Sequence, residues 1–189
     1  MGESVKIRML EKSDLDALMA ILNHHETRKF LNRNLPFSKI QEQKWLESLK
    51  GKANKREEFV FAIERRDDGK LVGTMGIRGL DWINHHCTIG IVIHDPANQD
   101  RKLGTDALQL LMKVCFNVLN MHRVGLDVMA YNSRAIHVYK KVGFQQVARH
   151  REKHFFNGTY HDVLCMDILE GEFREMQEDE RRFVSVVNE

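Results

Sequence analysis

Ile91-Val92-Ile93-His94-Asp95-Pro96-Ala97-Asn98-Gln99-Asp100-Arg101-Lys102-Leu103-Gly104-Thr105-Asp106-Ala107 is the most informative stretch of this 189-residue chain. An apolar run stops at a proline, a short polar turn follows, and a helical pattern begins. Leu103, Ala107, Leu111, Val114 and Val118 recur at helical spacing, so 102–120 reads as the longest helix. A turn of this kind leaves main-chain N–H groups unpaired at a helix N-terminus, where they can hold phosphate. A second segment lies about one helix and one strand downstream: Asn132-Ser133-Arg134-Ala135-Ile136-His137-Val138-Tyr139-Lys140-Lys141-Val142-Gly143-Phe144. Between the two, Val124, Leu126 and Val128 alternate as a strand, and Gly143 is placed to end the helix that starts at Ser133.

The rest of the chain extends this pattern. Val5 to Leu10 alternates as a strand, Ser13 is placed to cap a helix through Leu22, and 23–37 reads as irregular. Ser38 and Gln41 form a capping-box pattern ahead of a helix with Trp45, Leu46 and Leu49 on its apolar side. Glu58 to Arg65 and Leu71 to Leu80 read as a hairpin around Asp67-Asp68-Gly69-Lys70, and Cys87 to His94 as the next strand. Phe144 to His150 and Thr159 to Leu169 close the pattern around an Asn157-Gly158 turn. Two early helices, an antiparallel meander and then strand–helix–strand–helix–strand–strand argue for an α+β fold. A single domain over 1–170 is expected, with 171–189 as a tail or short helix.

Composition removes several classes of function. A net charge of +2 is too balanced for nucleic-acid binding by bulk electrostatics. Cys87, Cys115 and Cys165 are far apart and form no CxxC pair, so neither a metal site nor a disulfide framework is expected. Met1 to Leu10 is charged rather than apolar, and no apolar run is long enough to span a membrane. Reduced thiols fit a cytoplasmic location. A Rossmann-type nucleotide binder is set aside because no GxGxxG turn lies near the N-terminus.

In this order and at this spacing, the two segments resemble the acetyl-CoA-binding core of the GNAT N-acetyltransferases. The resemblance runs from Ile7 to about Leu169 and implies a central mixed, mostly antiparallel twisted sheet flanked by helices. Phe155-Phe156-Asn157-Gly158-Thr159-Tyr160-His161-Asp162 is similar to the C-terminal hairpin of the RimJ/RimL branch, and Ala135 to Tyr139 to the spermidine/spermine N-acetyltransferases. The family turn, Arg/Gln-x-x-Gly-x-Gly/Ala, falls on Gln99, Asp100, Arg101, Lys102, Leu103 and Gly104, with Lys102 in place of the middle glycine. The resemblance implies that this turn and Thr105 bind the CoA pyrophosphate. It also implies that Val92, Ile93 and His94 present main-chain groups to the pantetheine arm and the acetyl carbonyl, that the fourth and fifth strands splay, and that Asn132 contacts the cofactor.

Acetyl transfer to an amine needs a neutral amine, a polarised thioester carbonyl and a proton for the leaving thiolate. The resemblance gives Tyr139 the last task. Many relatives carry a glutamate on the fourth strand in an Ala-Glu-Ile/Leu-Gly pattern, and Thr88-Ile89-Gly90-Ile91 sets Ile89 in its place. Glu26, Asp81, His85, His86 or a water chain then remain as the base. The expected function is acetyl-CoA-dependent transfer to a primary amine in a ternary complex. A protein N-terminus is the preferred acceptor and a polyamine the alternative, with a possible homodimer and neither a nucleic-acid nor a membrane partner. The rival class is a non-catalytic acyl-CoA sensor, which Lys102 and Ile89 favour and Tyr139 disfavours.

Overall fold

The computed structural model describes residues 4–31, 35–93 and 102–187, without the side chains of 25, 26 and 179–187. Seven strands form one sheet: β1 Val5–Met9, β2 Glu58–Arg65, β3 Leu71–Asp81, β4 His86–Ile93, β5 Arg123–Met129, β6 Gln145–Phe156 and β7 Thr159–Leu169. Their order is β1-β2-β3-β4-β5-β7-β6. All neighbours are antiparallel except β4 and β5. The helices are α1 Leu15–Leu22, α2 His25–Arg28, α3 Lys39–Asn54, α4 Leu103–Lys113, α5 Ser133–Lys141 and α6 Glu170–Val187. This is the expected mixed, mostly antiparallel α+β sheet flanked by helices. No described helix is long and apolar enough to cross a membrane.

Strand alternation splits the core in two. Ile63, Val72, Ile77, Cys87, Ile89, Val124, Leu126, Leu164, Met166 and Ile168 face α4 and α5, where Leu108, Leu111 and Met112 are buried. Val60 and Ala62 face the other way, against Leu18 and Leu22 of α1 and Leu46 and Leu49 of α3. Each such leucine contributes about 1.5–3 kcal/mol by leaving water. The helices α1 and α3 pack over the β1–β2 side of that face. Arg8 links β1 to both β2 and the turn before α1. Its Nη2 donates to Asp14 Oδ1 and its Nε to Glu64 Oε2, both at 2.8 Å. The guanidinium holds the Asp14 carboxyl below its ordinary range.

Local differences from the sequence reading have physical causes. The expected cap Ser13 lies inside a 3-10 turn, Lys12–Asp14, whose capping box is made by Glu11 and Asp14. Ser38 is the N-cap residue of α3, but its side chain makes no capping bond. Within 23–37, α2 interrupts the irregular run, and the Asn23 side chain brackets Phe37 by donating to its carbonyl at 3.0 Å and accepting from its N–H at 2.7 Å. The long helix leaves α geometry after Lys113 and finishes as a π turn, Val114–Val118. That widening buries both Cys115 and Phe116, and brings Phe116 to 5.1 Å from Phe173 of α6. Strand β6 runs six residues past the expected end at His150, because a bulge between His150 and His154 carries it on. Asp162 accepts from Glu152 N at 2.8 Å and from Arg149 Nε at 2.6 Å, and so holds the bulge.

Candidate active site

The parallel pairing of β4 with β5 covers only His86↔Arg123, Cys87↔Val124 and Thr88↔Gly125. Beyond Thr88 the strands part, while β4 stays paired to β3 as far as Ile93 and β5 to β7 as far as Met129. A slot therefore opens between Ile89–Ile93 and Leu126–Met129. Main-chain groups on the two facing edges lose their sheet partner there, and buried N–H and C=O groups need another. An extended amide-bearing chain such as pantetheine matches that need.

Gly73 sets the position of the β4 edge. It lies opposite Ile93 in the register. A Cβ on Gly73 would overlap the Val92 carbonyl oxygen and stand 3.1 Å from Ile93 Cδ1 and 3.2 Å from Ile63 Cδ1. Val92 and Ile93 thus hold their place because β3 has no side chain at that point. The sequence carried a signal for this, since glycine inside a strand marks a close approach of backbone.

The start of α4 closes one end of the slot. A Cβ on Gly104 would meet Ile93 Cγ1 at 3.6 Å, so the first turn of the helix lies against the end of β4. Leu103 is buried beneath it. Asp106, absent from the sequence reading, accepts from the N–H groups of Ser4 at 2.7 Å and Val5 at 3.0 Å, and so ties this turn to β1. Thr105 lies in the same turn, half-buried. His94, Gln99, Asp100 and Arg101 lie outside the described residues.

Lys102 explains the glycine in the family turn. As N-cap of α4 it has φ 61° and ψ 1°, in the left-handed region, and its carbonyl accepts from Asp106 N at 3.0 Å. The turn therefore carries a side chain in left-handed backbone, a conformation that glycine adopts without steric cost. An L-residue there carries a strain of about 1–2 kcal/mol. Lys102→Gly is expected to melt no lower than the parent, because relief of strain offsets the entropy glycine loses on folding. Lys102→Val should lower Tm by about 3 °C or more, since a β-branched residue is an outlier at positive φ. A lower Tm for the glycine variant in a thermal melt would contradict this account of the turn.

Asn132 and Tyr139 lie on α5, the helix that follows β5. Asn132 is the N-cap of α5, and its Oδ1 accepts from Ala135 N at 3.1 Å. Tyr139 is 7% exposed, with its ring 5.9 Å edge-on to Phe144. Burial pushes its phenol up to about 12. The group therefore keeps its proton throughout the neutral range and is suited to donate it, not to act as a base. Gly143 ends α5 at φ 100°, with Met176 and Ile168 packed where its side chain would be.

The base candidates separate clearly. Ile89 is 2% exposed in the core under α4, so no side chain at that position can reach the open face of the sheet. Thr88, one residue earlier, lies on the opposite face of the strand. Asp81, His85 and His86 lie at the other end of β4. Asp81 accepts from Ile83 N at 2.9 Å and Asn84 N at 2.8 Å, and these bonds, first those from Asn84, hold it below the ordinary carboxyl range. His85 Nδ1 is 2.9 Å from the Asn120 carbonyl. From His86 to Val92 the strand runs about 20 Å. These residues build the β3–β4 turn. The side chain of Glu26 lies outside the described residues. In the same turn, Trp82 donates to the Arg56 carbonyl at 3.2 Å and plugs the hairpin, whereas Ile83 is 88% exposed.

A family model described as an acetyltransferase (GNAT) domain matches residues 4–145. Over 173 residues the chain is 29% identical to a spermidine N(1)-acetyltransferase of Escherichia coli strain K12, covering 91% of this chain and 89% of the relative. It is 24% identical over 173 residues to a spermidine N(1)-acetyltransferase of Vibrio cholerae, covering 92% and 97%. The crystal structure of spermidine N-acetyltransferase from Vibrio cholerae in complex with CoA and spermine matches with a TM-score of 0.80 at 24% identity, over 89% of this chain and 97% of that one. This last likeness bears on the fold.

Proposed function

The chain belongs to the GNAT acetyltransferase family, and from that premise we propose that it moves the acetyl group of acetyl-CoA directly to a primary amine of a polyamine of the spermidine kind. N-acetyl transfer with acetyl-CoA as co-substrate follows from the family; the acceptor and the direct route are the proposal, together with a cytoplasmic location. The observation that supports it is the slot between β4 and β5, with α5, capped by Asn132 and carrying Tyr139, following directly after β5.

Acetyl-CoA supplies an activated acyl group as a thioester. The edge of β4 at Val92 and Ile93 offers main-chain groups to hold the arm and orient the carbonyl. The amine nitrogen bonds to the acetyl carbon, the carbon–sulfur bond breaks, the sulfur takes a proton from Tyr139, and the proton that leaves the nitrogen as the amide forms restores the phenol. The cysteines support direct transfer over an acyl-enzyme. Cys87 and Cys115 are buried, and Cys87 beside Cys115, with burial, pushes the Cys115 thiol far up. The Cys165 thiol is also raised, by burial and then by Asp127. A thiol held protonated is a poor nucleophile.

Two observations favour a slender polyamine over a protein N-terminus. The relatives reported above carry spermidine in their names. Beside the slot, Gly76 and Gly90 pair across β3 and β4, and nothing stands within 4 Å of where a Gly90 Cβ would be. That strip can accept a methylene chain. The test is CoA release from acetyl-CoA against spermidine, a peptide with a free N-terminus and an N-blocked lysine peptide. Turnover on spermidine is expected. Turnover on the free N-terminal peptide alone would return the acceptor to proteins, and acetyl-CoA binding without turnover on any amine would favour a sensor.

A further inference from the structure

We propose that His154 takes the proton from the incoming acceptor ammonium at Nε2, in place of the carboxylate that β4 lacks. The inference rests on the amine-acetylation reading above and assigns the base of that same reaction. Ile89 lies in the core, and Asp81, His85 and His86 lie at the far end of β4, so among these described residues β4 and its turn offer no base at the slot.

The β6–β7 hairpin supplies one. Counting outward from the Asn157-Gly158 turn, Phe156 pairs with Thr159, Phe155 with Tyr160 and His154 with His161. Along β7, His161 shares a face with Val163 and Cys165, opposite the face of Leu164 and Met166 that packs under α4 and α5. Val163 is paired with Met129 at the end of β5, and Ala130 N donates to the Asp162 carbonyl at 2.9 Å. The His154–His161 pair therefore lies beside the open end of the slot.

The surroundings of His154 are those of a group poised for a ligand. It is 5% exposed, and its Nε2 is buried without a hydrogen-bond partner. Its ring stacks on Phe156 with centroids 6.3 Å apart, and it lies 6.5 Å from the ring of Tyr131. Tyr131 precedes the α5 cap Asn132 and meets His161 edge-on at 4.8 Å. Its hydroxyl donates to the Lys29 carbonyl at 2.5 Å, and its ring is 5.9 Å from Phe30, so the segment after α2 closes over the same cluster. Among the described residues, the titratable groups around His154 are His161 across the strand pair, Tyr131 beside it and Lys29, whose Nζ lies over the Phe30 ring. Burial, and then the His161 charge, push the His154 imidazole below its ordinary value. At neutral pH the ring is uncharged and able to accept. A buried unpaired nitrogen costs stability, and a catalytic role is one of the reasons such a group is kept.

The balance is simple. The ammonium N–H bond breaks, its electron pair stays on the amine nitrogen, and the proton passes to Nε2 to give an imidazolium. The neutral amine then attacks the acetyl carbon, the carbon–sulfur bond breaks as Tyr139 protonates the sulfur, and the second proton that the nitrogen sheds as the amide forms restores the Tyr139 phenol. The imidazolium returns its proton to solvent after product leaves.

The test compares wild type with His154→Phe, which keeps a ring on Phe156 but removes the nitrogen, and with His154→Gln. Tm, acetyl-CoA affinity and the pH profile of kcat/KM for spermidine are measured on each. For His154→Phe, Tm should hold or rise while kcat/KM at neutral pH falls about 100-fold. The limb of the wild-type profile that climbs through the imidazole pKa should disappear. Activity should recover toward pH 10, where the amine loses its proton unaided, and acetyl-CoA affinity should not change. His154→Gln should show the same loss of the acid limb. A kcat/KM within twofold of wild type for either folded variant, or an unaltered acid limb, would overturn the assignment. So would a kcat/KM that falls only in step with Tm. No wild-type turnover on any amine would instead remove the transferase reading, and this inference with it.

Discussion

Tyr139→Phe should lose about 100-fold or more in kcat with spermidine and bind acetyl-CoA within about twofold of the parent. General acid catalysis contributes on that scale, and the substitution removes the donor alone. The ring itself stays, and with it the edge-on contact to Phe144 at 5.9 Å. Because burial pushes the phenol up to about 12, the acid remains protonated as the pH rises through the assay range. The wild-type profile should therefore show no descending limb from Tyr139 below about pH 11. A phenylalanine variant with parental kcat, measured beside calorimetric titration of acetyl-CoA, would remove Tyr139 from the chemistry.

Gly73→Ala should weaken acetyl-CoA binding about tenfold or more. The added methyl overlaps the Val92 carbonyl, so either β3 or β4 has to move at the point where the β4 edge lines the slot. Overpacking of this kind costs about 1–3 kcal/mol, and each 1.4 kcal/mol that falls on the bound state is tenfold in affinity. Gly90→Ala is the matched control. It adds the same methyl to the same pair of strands, where nothing stands within 4 Å. Its acetyl-CoA affinity should stay within about twofold. Equal effects from both glycines would mean that the slot does not depend on the Gly73 approach.

The parts of the fold that the sequence made legible are those where a local rule suffices. The start of α4, the end of α5 at Gly143 and the Asn157-Gly158 hairpin each follow from residue chemistry at a few adjacent positions. The second half of β6 did not, because an exposed edge strand shows no apolar alternation through Arg149-His150-Arg151-Glu152-Lys153. Edges are often kept charged in this way, which limits pairing with other chains. The π turn after Lys113 was hidden for a different reason. Periodicity reports which residues are buried, and a widened turn buries Cys115 and Phe116 without breaking the apolar pattern.

The site divides along the same line. As candidates, Tyr139, Asn132 and Lys102 come from motif and spacing. The facing of Ile89 does not, since a one-residue difference in strand register moves a side chain to the other side of the sheet. Gly73 depends on the approach of a neighbouring strand, and Asp106 on a main chain 102 residues away in sequence. His154 was within reach, because strand pairs counted back from an Asn-Gly turn set it opposite His161. What the count could not supply was its burial and its unpaired nitrogen.

Initial rates with acetyl-CoA and spermidine varied together test direct transfer in the β4–β5 slot most directly, with acetylated amine quantified against CoA released. Intersecting double-reciprocal lines and one acetylated amine per CoA are the predicted result. Parallel lines would place the acetyl group on the protein between the two half-reactions, and CoA release without acetylated amine would mean that no transfer occurs; either result contradicts the account.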